Sequence, residues 1–347
     1  MFKLFASKDM GIDLGTANTL IYIKDQGIVL NQPSVIAVDV ERGVTLAVGQ
    51  DAKAMLGKAP SNISVVRPLQ DGVISDFDRT ADMLKAFIGQ AISANRFKNF
   101  RVAVGVPSGV TEVEKRAVEE VTRGMGASEV FILEEPMAAA IGAGMPVDGT
   151  TGCMIADIGG GTTDIAIIAL GGIVASSSIR YAGDRFNDAI IQYMRKRHAL
   201  LIGERTAEDL KINVGTALID VDEFGNEIIK TMNARGRDLI SGLPKTLEVS
   251  NKDMQVALQE SMDVIIDGIK TTIEKTPPEI AADIASNGMI LSGGGGMVEN
   301  LDKLIEKDTG MSVIVAENAF EVVALGAGTS LNDLEKLKLY AKSITRR

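Results

Sequence analysis

The chain has 347 residues, more than the roughly 250–300 at which a single hydrophobic core stops growing, so we expect two domains or one domain split by a cleft. Its one cysteine excludes an intramolecular disulfide and a multi-cysteine zinc site, and its one histidine leaves little material for a transition-metal site or a Ser/His/Asp triad. Hydrophobic residues make up 46% of the chain, which is ordinary for a globular protein, and the net charge of −10 argues against a broad nucleic-acid-binding surface.

The predicted elements alternate along the chain between short β-branched strands and longer helical patterns, which indicates an α/β architecture. The predicted strands are residues 11–14, 20–24, 35–38, 101–106, 130–133, 154–158, 164–170 and 289–291. The predicted helices are residues 80–94, 111–123, 184–197, 207–214 and 252–274, and the two prolines at 277 and 278 open a further one. No apolar run approaches the roughly 18–20 residues that span a bilayer, and the start of the chain is too short for a signal peptide, so we expect a cytoplasmic protein.

One sequence pattern occurs twice. Residues 11–23 and 155–167 align without a gap, so that Asp13 corresponds to Asp157 and Gly15 to Gly159. Each copy has the pattern of a strand, an aspartate, a glycine-containing polar turn and a second strand. Two such hairpins predict a duplicated domain, with the two turns facing each other across a cleft.

The two polar turns have the composition of a polyphosphate site. Small residues let backbone N–H groups approach phosphate oxygens, and tight turns aim several N–H groups at one point. Residues 15–18 and 159–162 both fit this pattern, and the aspartate before each turn is suited to hold a hydrated divalent cation such as Mg²⁺. The alternative is a plain hairpin turn, in which glycine, threonine and asparagine are common.

A third glycine cluster follows a predicted buried strand and consists of Gly293, Gly294, Gly295 and Gly296. Without side chains, the backbone of this cluster can pass against a flat ligand face such as adenine; a surface loop is the alternative. The chain contains no GxxxxGK[ST] P-loop, and its first hairpin does not open a GxGxxG fingerprint. The expected phosphate site is therefore of another kind.

Glu135 stands where a predicted strand gives way to an alanine-rich helix, with Pro136 in the first helical turn. This is the carboxyl end of a strand, where α/β folds place their ligands. A carboxylate there is suited to orient water for attack on a γ-phosphate, because positioning is most of what phosphoryl transfer requires. Capping of the helix is the alternative, and residue type alone does not separate the two.

Seven segments in family order along the whole chain resemble the MreB family of bacterial actins, within the superfamily of actin, sugar kinases and seventy-kilodalton heat-shock chaperones. They are residues 11–20 (GIDLGTANTL), 33–35 (PSV), 134–141 (EEPMAAAI), 157–164 (DIGGGTTD), 182–184 (AGD), 203–211 (GERTAEDLK) and 291–295 (LSGGG). The resemblance implies an actin-like α/β fold, in which two duplicated ribonuclease-H-like domains, each with a smaller subdomain, surround a nucleotide cleft. The first domain would span residues 1–144, with a small subdomain at about 32–75 and helices from about 320–347 packing back on it. The second would span 145–319, with a small subdomain at about 184–250.

The resemblance also implies roles for individual residues in binding ATP and Mg²⁺. Asp13 and Asp157 would hold hydrated Mg²⁺, and Glu135 with Thr162 would position the attacking water, so that Glu135, Thr162 and Asp157 form the catalytic set. Glu208 and Lys211 lie one helical turn apart and match positions that contact the nucleoside, although the residue pattern alone is typical of a surface salt-bridge pair. The residues assigned to the nucleotide are Thr16, Ala17, Asn18, Gly159, Gly160, Gly161, Gly183, Glu208, Lys211, Gly293, Gly294, Gly295 and Gly296.

The implied function is that of an ATP-binding, slowly ATP-hydrolysing cytoskeletal protein that polymerises into membrane-associated filaments and determines bacterial cell shape. One alternative is a small-molecule kinase of the same superfamily, although no spare carboxylate has the context of a base for a substrate hydroxyl. Another is a filament-forming actin for motility or DNA segregation. The expected partners are further copies of the chain, an anionic membrane surface and membrane proteins of the shape-determining machinery, but no nucleic acid.

The C-terminal segment 334–347 is basic and amphipathic. It carries five basic residues against one acid, a local net charge of +4 in a chain of −10. Such a helix can lie in the headgroup region of anionic lipid at the inner face of the cell membrane, with a docked helix on the protein body as the alternative. Two further candidate anchors are the apolar start, residues 1–5, and the basic loop around Phe97 and Phe100. The apolar stripe of the C-terminal segment consists of Leu334, Leu337, Ala341 and Ile344, flanked by Tyr340.

Overall fold

The computed structural model describes residues 9–92 and 100–343. In chain order its strands are β1 (Met10–Leu14), β2 (Asn18–Ile23), β3 (Gly27–Pro33), β4 (Ile36–Asp39), β5 (Val44–Val48), β6 (Ile63–Val66), β7 (Leu69–Gln70), β8 (Val73–Ile74), β9 (Phe100–Val106), β10 (Ala127–Glu134), β11 (Cys153–Ile158), β12 (Thr163–Ala169), β13 (Gly172–Ile179), β14 (Leu200–Leu201), β15 (Thr231–Asp238), β16 (Pro244–Ser250), β17 (Met289–Ser292) and β18 (Val313–Val315). The helices are α1 (Gln50–Lys53), α2 (Phe77–Ala91), α3 (Glu112–Gly124), α4 (Glu135–Gly142), α5 (Gly183–His198), α6 (Glu204–Val214), α7 (Asn251–Glu274), α8 (Pro278–Asn287), α9 (Leu301–Thr309), α10 (Val322–Ser330) and α11 (Leu334–Ser343), with a short 3₁₀ helix at Gly295–Met297. No helix of the described ranges is long and apolar enough to cross a membrane.

Two five-stranded sheets repeat one topology. The first has the order β3-β2-β1-β9-β10 and the second β13-β12-β11-β17-β18. In each, three antiparallel strands are followed by two strands that run parallel to the third, so β1 pairs with β2 and β9 as β11 pairs with β12 and β17. The duplication expected from the internal sequence repeat is therefore present as two equivalent hairpins.

Several element boundaries differ from those predicted. Helix α2 begins at Phe77, before the predicted residue 80, because the Asp76 side chain accepts a hydrogen bond from the Arg79 N–H and caps the helix. Its predicted end at residue 94 lies outside the described residues. Helix α6 begins at Glu204, three residues before the predicted start. Helix α10 lies within the C-terminal helices that the family resemblance implied, but the residue pattern alone did not indicate it, because it is almost wholly buried and has no polar face to produce a helical period.

Helix α10 crosses α4 at backbone contact distance. A Cβ atom on Gly142 would lie 1.9 Å from the Val322 carbonyl oxygen, and one on Gly326 would lie 1.8 Å from that of Ala138. On the strand side, a Cβ on Gly11 would lie 2.3 Å from the Ala324 carbonyl oxygen. These glycines let α10 pack between α4 and β1, which are the elements that carry Glu135 and Asp13.

Helix α11 is docked on the protein body, which corrects the prediction of a membrane-facing apolar stripe. Leu337 and Tyr340 are buried in the core cluster that also contains residues of β10 and α10. The Tyr340 hydroxyl donates to Asp148 Oδ1 at 2.7 Å, and the Lys336 ammonium pairs with the same carboxylate. The helical period identified an apolar face correctly, but that face is covered by protein. Ile344, the start of the chain at residues 1–5 and Phe97 lie outside the described residues.

Candidate functional site

The two equivalent hairpins meet in a cleft whose empty volume, including the part open to solvent, is about 950 Å³. The cleft collects every residue that was assigned to the nucleotide, the cation or catalysis except Gly296. The lining includes Asp13, Thr16, Ala17, Asn18, Glu135, Asp157, Gly159, Gly160, Gly161, Thr162, Gly183, Glu208, Lys211, Gly293, Gly294 and Gly295. Segments that are far apart in the chain thus converge on one site.

The first turn (residues 15–18) and the second turn (residues 159–162) touch each other. A Cβ atom on Gly160 would lie 2.5 Å from the Ala17 Cβ, and one on Gly161 would lie 2.7 Å from Thr16 Oγ1. Only glycine fits at these positions, and its bare backbone leaves N–H groups free to face a ligand. The first turn is held from behind, because the buried Ser34 hydroxyl donates to the Gly15 carbonyl oxygen at 2.7 Å.

Gly183 is tied to the second turn. Its N–H donates to the Gly159 carbonyl oxygen at 3.1 Å, and the Asp184 N–H donates to that of Gly160 at 2.8 Å. The N-terminal end of α5 therefore faces the second turn, with the positive end of the helix dipole directed at the cleft. This arrangement suits an anionic ligand.

The third glycine cluster packs against the end of β11. Gly293 has φ +80°, and a Cβ there would lie 2.3 Å from the Ile158 carbonyl oxygen. Gly296 does not line the cleft, contrary to its predicted role, because it faces the Leu291 side chain inside the 3₁₀ turn. Because Gly296 is the last of four consecutive glycines, the sequence alone does not show whether it forms the turn or faces the ligand.

Four carboxylates, which we call the carboxylate cluster, lie near one another: Asp13, which is half-buried, and Glu135, Asp157 and Asp164, which are buried. Burial and the charge of Asp157 raise the pKa of Asp13 to about 8. Burial raises the pKa of Asp157 to about 7, although a 2.6 Å hydrogen bond from the Ser292 hydroxyl opposes the shift. Burial, reinforced by neighbouring carboxylates, holds the pKa of Glu135 well above its usual range.

The carboxylate cluster fits a divalent cation bound partly through water. None of its four members forms an ion pair within the described ranges, and Glu135 Oε1 has no hydrogen-bond partner there. The same part of the chain holds no group of three or more His, Cys, Asp or Glu side chains placed to enclose a metal ion. Mg²⁺ commonly takes one or two carboxylates and keeps several waters beside phosphate oxygens, so this donor set suits it.

Glu208 and Lys211 do not form the simple surface pair that their spacing suggested. The Lys211 ammonium donates to the Gly183 carbonyl oxygen at 3.0 Å, and burial lowers the pKa of Lys211. Glu208 instead pairs with Lys53 of α1 at 2.7 Å, across the cleft. Both side chains remain part of the cleft lining, where Glu208 is already engaged by a residue from the 32–75 segment.

Sequence reasoning missed two features of the cleft. Arg67, from the loop after β6, pairs with Glu204 at 2.5 Å and with Asp184 at 3.5 Å, so a second ionic contact crosses the mouth. Phe320, in the loop between β18 and α10, lines the cleft beside Gly294. No local motif marks either residue, because contacts between distant segments bring both of them to this part of the structure.

The family model, the similar sequences and the similar structures all indicate the same protein family. The family model described as MreB/Mbl protein matches residues 7–339. The chain is 47% identical to the cell shape-determining protein Mbl of Bacillus subtilis, with coverage of 95% of this chain and 98% of that protein. It is 48% identical to the cell shape-determining protein MreB of Escherichia coli, with coverage of 96% of each.

Among solved structures, MreB5 of Spiroplasma citri bound to AMPPNP superposes with a TM-score of 0.89 at 38% identity, covering 96% of this chain and 98% of that one. The same relative has been solved with ADP. The likeness over nearly the whole chain confirms the expected α/β, actin-like fold.

Proposed function

The chain belongs to the MreB/Mbl family, and on this premise we propose that it binds and slowly hydrolyses ATP, polymerises into filaments and determines bacterial cell shape. The observation that carries the proposal is the contact of the two polar turns in a cleft that is also lined by three members of the carboxylate cluster, Asp13, Glu135 and Asp157. Relatives that match over almost the whole length are named cell shape-determining proteins, and MreB5 has been solved with AMPPNP and ADP. The proposed domain division is 1–144 with the helices after 320, and 145–319.

In this proposal the two turns donate backbone N–H groups to the phosphates. Asp13 and Asp157 would hold hydrated Mg²⁺, which when bound neutralises charge on the phosphate oxygens. Glu135, at the first turn of α4, would orient the attacking water together with Thr162. Lys211 and Glu208 would lie beside the nucleoside.

Ultracentrifugation with Mg·ATP tests the assembly. A head-to-tail interface that does not close on itself gives open filaments, so pelleting should set in above a critical protein concentration. Phosphate release should accompany it without any added acceptor. A protein that stays in the supernatant at all concentrations, or that releases no phosphate unless a sugar or other hydroxyl compound is added, would contradict the proposal and favour the small-molecule kinase.

We also propose peripheral attachment to an anionic membrane through the apolar start, residues 1–5, or the basic sequence around Phe97, since the stripe of α11 is covered. A chain that begins at Asp9, or one with Phe97→Ser, should pellet less with vesicles containing anionic lipid. The exposed Lys338 provides a control, because its one ion pair within residues 9–92 and 100–343 is with Glu335 of its own helix, and Lys338→Ala leaves the docked face of α11 intact. If Lys338→Ala alone abolishes vesicle binding, the tail would be the anchor after all.

The ionic contacts at the mouth should slow nucleotide exchange. Lys53 and Glu208 are each about 30% exposed, and a partly exposed ion pair is worth up to about 1 kcal/mol, a factor of about five in a rate or affinity. Lys53→Ala should therefore speed dissociation of a fluorescent ADP analogue by up to about five-fold, and added salt should narrow the difference from wild type. The exposed Lys58 supplies the matched control, and Lys58→Ala should leave the rate unchanged. Equal effects of Lys53→Ala and Lys58→Ala on the dissociation rate would show that the Lys53–Glu208 ion pair does not slow nucleotide exchange.

A further inference from the structure

We propose that Phe320 stacks on the base of the bound nucleotide and makes the cleft selective for purines, an inference that rests on the proposed nucleotide site. Phe320 is the one aromatic side chain among the described residues that line the cleft. The chain has ten phenylalanines, four tyrosines and no tryptophan, so aromatic rings are scarce. Phe320 is half-buried and belongs to none of the four apolar core clusters of the described ranges. Its ring therefore has no evident part in the core.

The ring is held in place by the loop that carries it. The Gly293 N–H donates to the Ala319 carbonyl oxygen at 2.8 Å, and the Glu321 N–H donates to that of Asn318 at 2.7 Å. The first bond ties the loop to the end of β17, and the second closes a turn around Phe320. A Cβ atom on Gly294 would lie 3.1 Å from ring atoms Cδ2 and Cε2, so the ring rests against bare backbone. A rigid mount of this kind lowers the cost of ordering the ring when a ligand binds.

The chemistry of the ring selects its ligand group. A phenyl ring has neither charge nor hydrogen-bonding groups to offer phosphates or a hydrated cation, which the glycine turns and carboxylates already suit. The base is the flat, weakly polar part of a nucleotide, and aromatic side chains stack on bases. Stacking does not read the base edges, so it favours the larger face of a purine over a pyrimidine without separating adenine from guanine.

Two alanine variants test this assignment with three probes: Mg·ATP, Mg·UTP and Mg·tripolyphosphate. Phe320→Ala should weaken ATP binding by about 10-fold or more, as loss of a base stack does, and leave tripolyphosphate binding unchanged. The preference of the wild type for ATP over UTP should shrink in the variant. Phe224→Ala is the matched control, because Phe224 is 81% exposed and does not line the cleft.

Unchanged ATP affinity in Phe320→Ala, or an equal loss of ATP and tripolyphosphate, would overturn the assignment while leaving the proposed nucleotide site intact. If the wild type binds none of the three probes, the proposed function fails first and the assignment with it.

The absence of tryptophan allows a direct optical test. Phe320→Trp introduces the only indole of the chain, and its fluorescence should change when Mg·ATP binds but not when Mg·tripolyphosphate binds. Phe224→Trp should respond to neither probe. An indole at position 320 whose fluorescence stays constant while ATP binds, as measured by calorimetry, would refute the stack.

Discussion

Glu135→Gln is expected to slow ATP hydrolysis by about 10²-fold or more while leaving nucleotide affinity nearly unchanged. Removing a group that positions or deprotonates the nucleophile typically costs 10²–10⁴-fold. Glu135 begins α4, is only 6% exposed, and has an Oε1 atom with no hydrogen-bond partner within the described ranges. An unpartnered buried carboxylate oxygen at a cleft is suited to receive a hydrogen bond from a bound water. Glutamine keeps the volume of the side chain and removes its ability to accept the proton.

The neighbouring Glu134 supplies a matched control. It is 9% exposed, ends β10 and does not line the cleft, so Glu134→Gln tests a buried carboxylate one residue away from the site. Single-turnover phosphate release should drop in Glu135→Gln and stay close to wild type in Glu134→Gln. Equilibrium titration with a non-hydrolysable ATP analogue should give similar affinities for all three proteins. Hydrolysis by Glu135→Gln within about two-fold of wild type would remove Glu135 from the proposed mechanism.

The parts of the site that were predictable from sequence are those encoded locally. A strand, an aspartate and a turn of small residues lie within about ten consecutive positions, so Asp13 and the first turn can be recognised without knowing the fold. The internal repeat then identified the second copy, and the structure brings the two turns into contact. Glu135 was recognisable for the same reason, because Pro136 marks the junction of strand and helix.

The parts that were not predictable depend on pairings between distant segments. Lys53 and Glu208 are 155 positions apart, and neither side chain has a local pattern that reveals the other. The position of the Phe320 ring depends on the backbone hydrogen bond between Ala319 and Gly293 and on the contact of the ring with Gly294. No periodicity in the sequence encodes these contacts. Such contacts form only when the folded chain brings distant segments together, so the local sequence does not reveal them.

The tail illustrates a different limit. An apolar stripe at helical spacing shows that one face of α11 avoids water, but lipid and protein satisfy that requirement equally. The deciding partner is Asp148, which lies 188 and 192 positions before Lys336 and Tyr340. Leu337 is fully buried beside them, so the stripe is used within the protein.

Asp13→Asn is expected to stabilise the nucleotide-free protein and to weaken its response to Mg·ATP. Burial and the charge of Asp157 raise the pKa of Asp13 to about 8, which means that the folded protein resists ionisation of this carboxyl. Each unit of pKa shift corresponds to about 1.4 kcal/mol, and about three units separate the ordinary pKa of an aspartate from pH 7, so removing the penalty should raise the free energy of unfolding by up to about 4 kcal/mol at pH 7. The strain of a like-charged site would thus be relieved where no cation offsets it.

The effect of pH on the unfolding free energy gives a second test of the Asp13→Asn variant. Between about pH 4 and pH 8 the Asp13 carboxyl is protonated to a greater extent in the folded wild type than in the unfolded chain, because its folded pKa is the higher one. The contribution of Asp13 to the unfolding free energy of the wild type therefore falls as the pH rises through this range, and the stability advantage of Asp13→Asn should widen from pH 5 to pH 8. Denaturant unfolding in the presence of a chelator and without nucleotide measures this difference in unfolding free energy at each pH. Asp267→Asn, at an exposed site of α7, is the control, and its difference from wild type should not grow with pH.

With Mg·ATP present, the wild type should be more stable than Asp13→Asn. A ligand that binds only the folded state raises the melting temperature according to its affinity, and Asp13 is one of the two carboxylates proposed to hold the hydrated cation. The wild type should therefore gain a large shift in melting temperature from Mg·ATP, whereas Asp13→Asn should gain a small one that scarcely depends on Mg²⁺. Equal Mg²⁺-dependent shifts in the two proteins would show that Asp13 is not needed for cation binding, and the raised pKa of its carboxyl would then reflect burial alone.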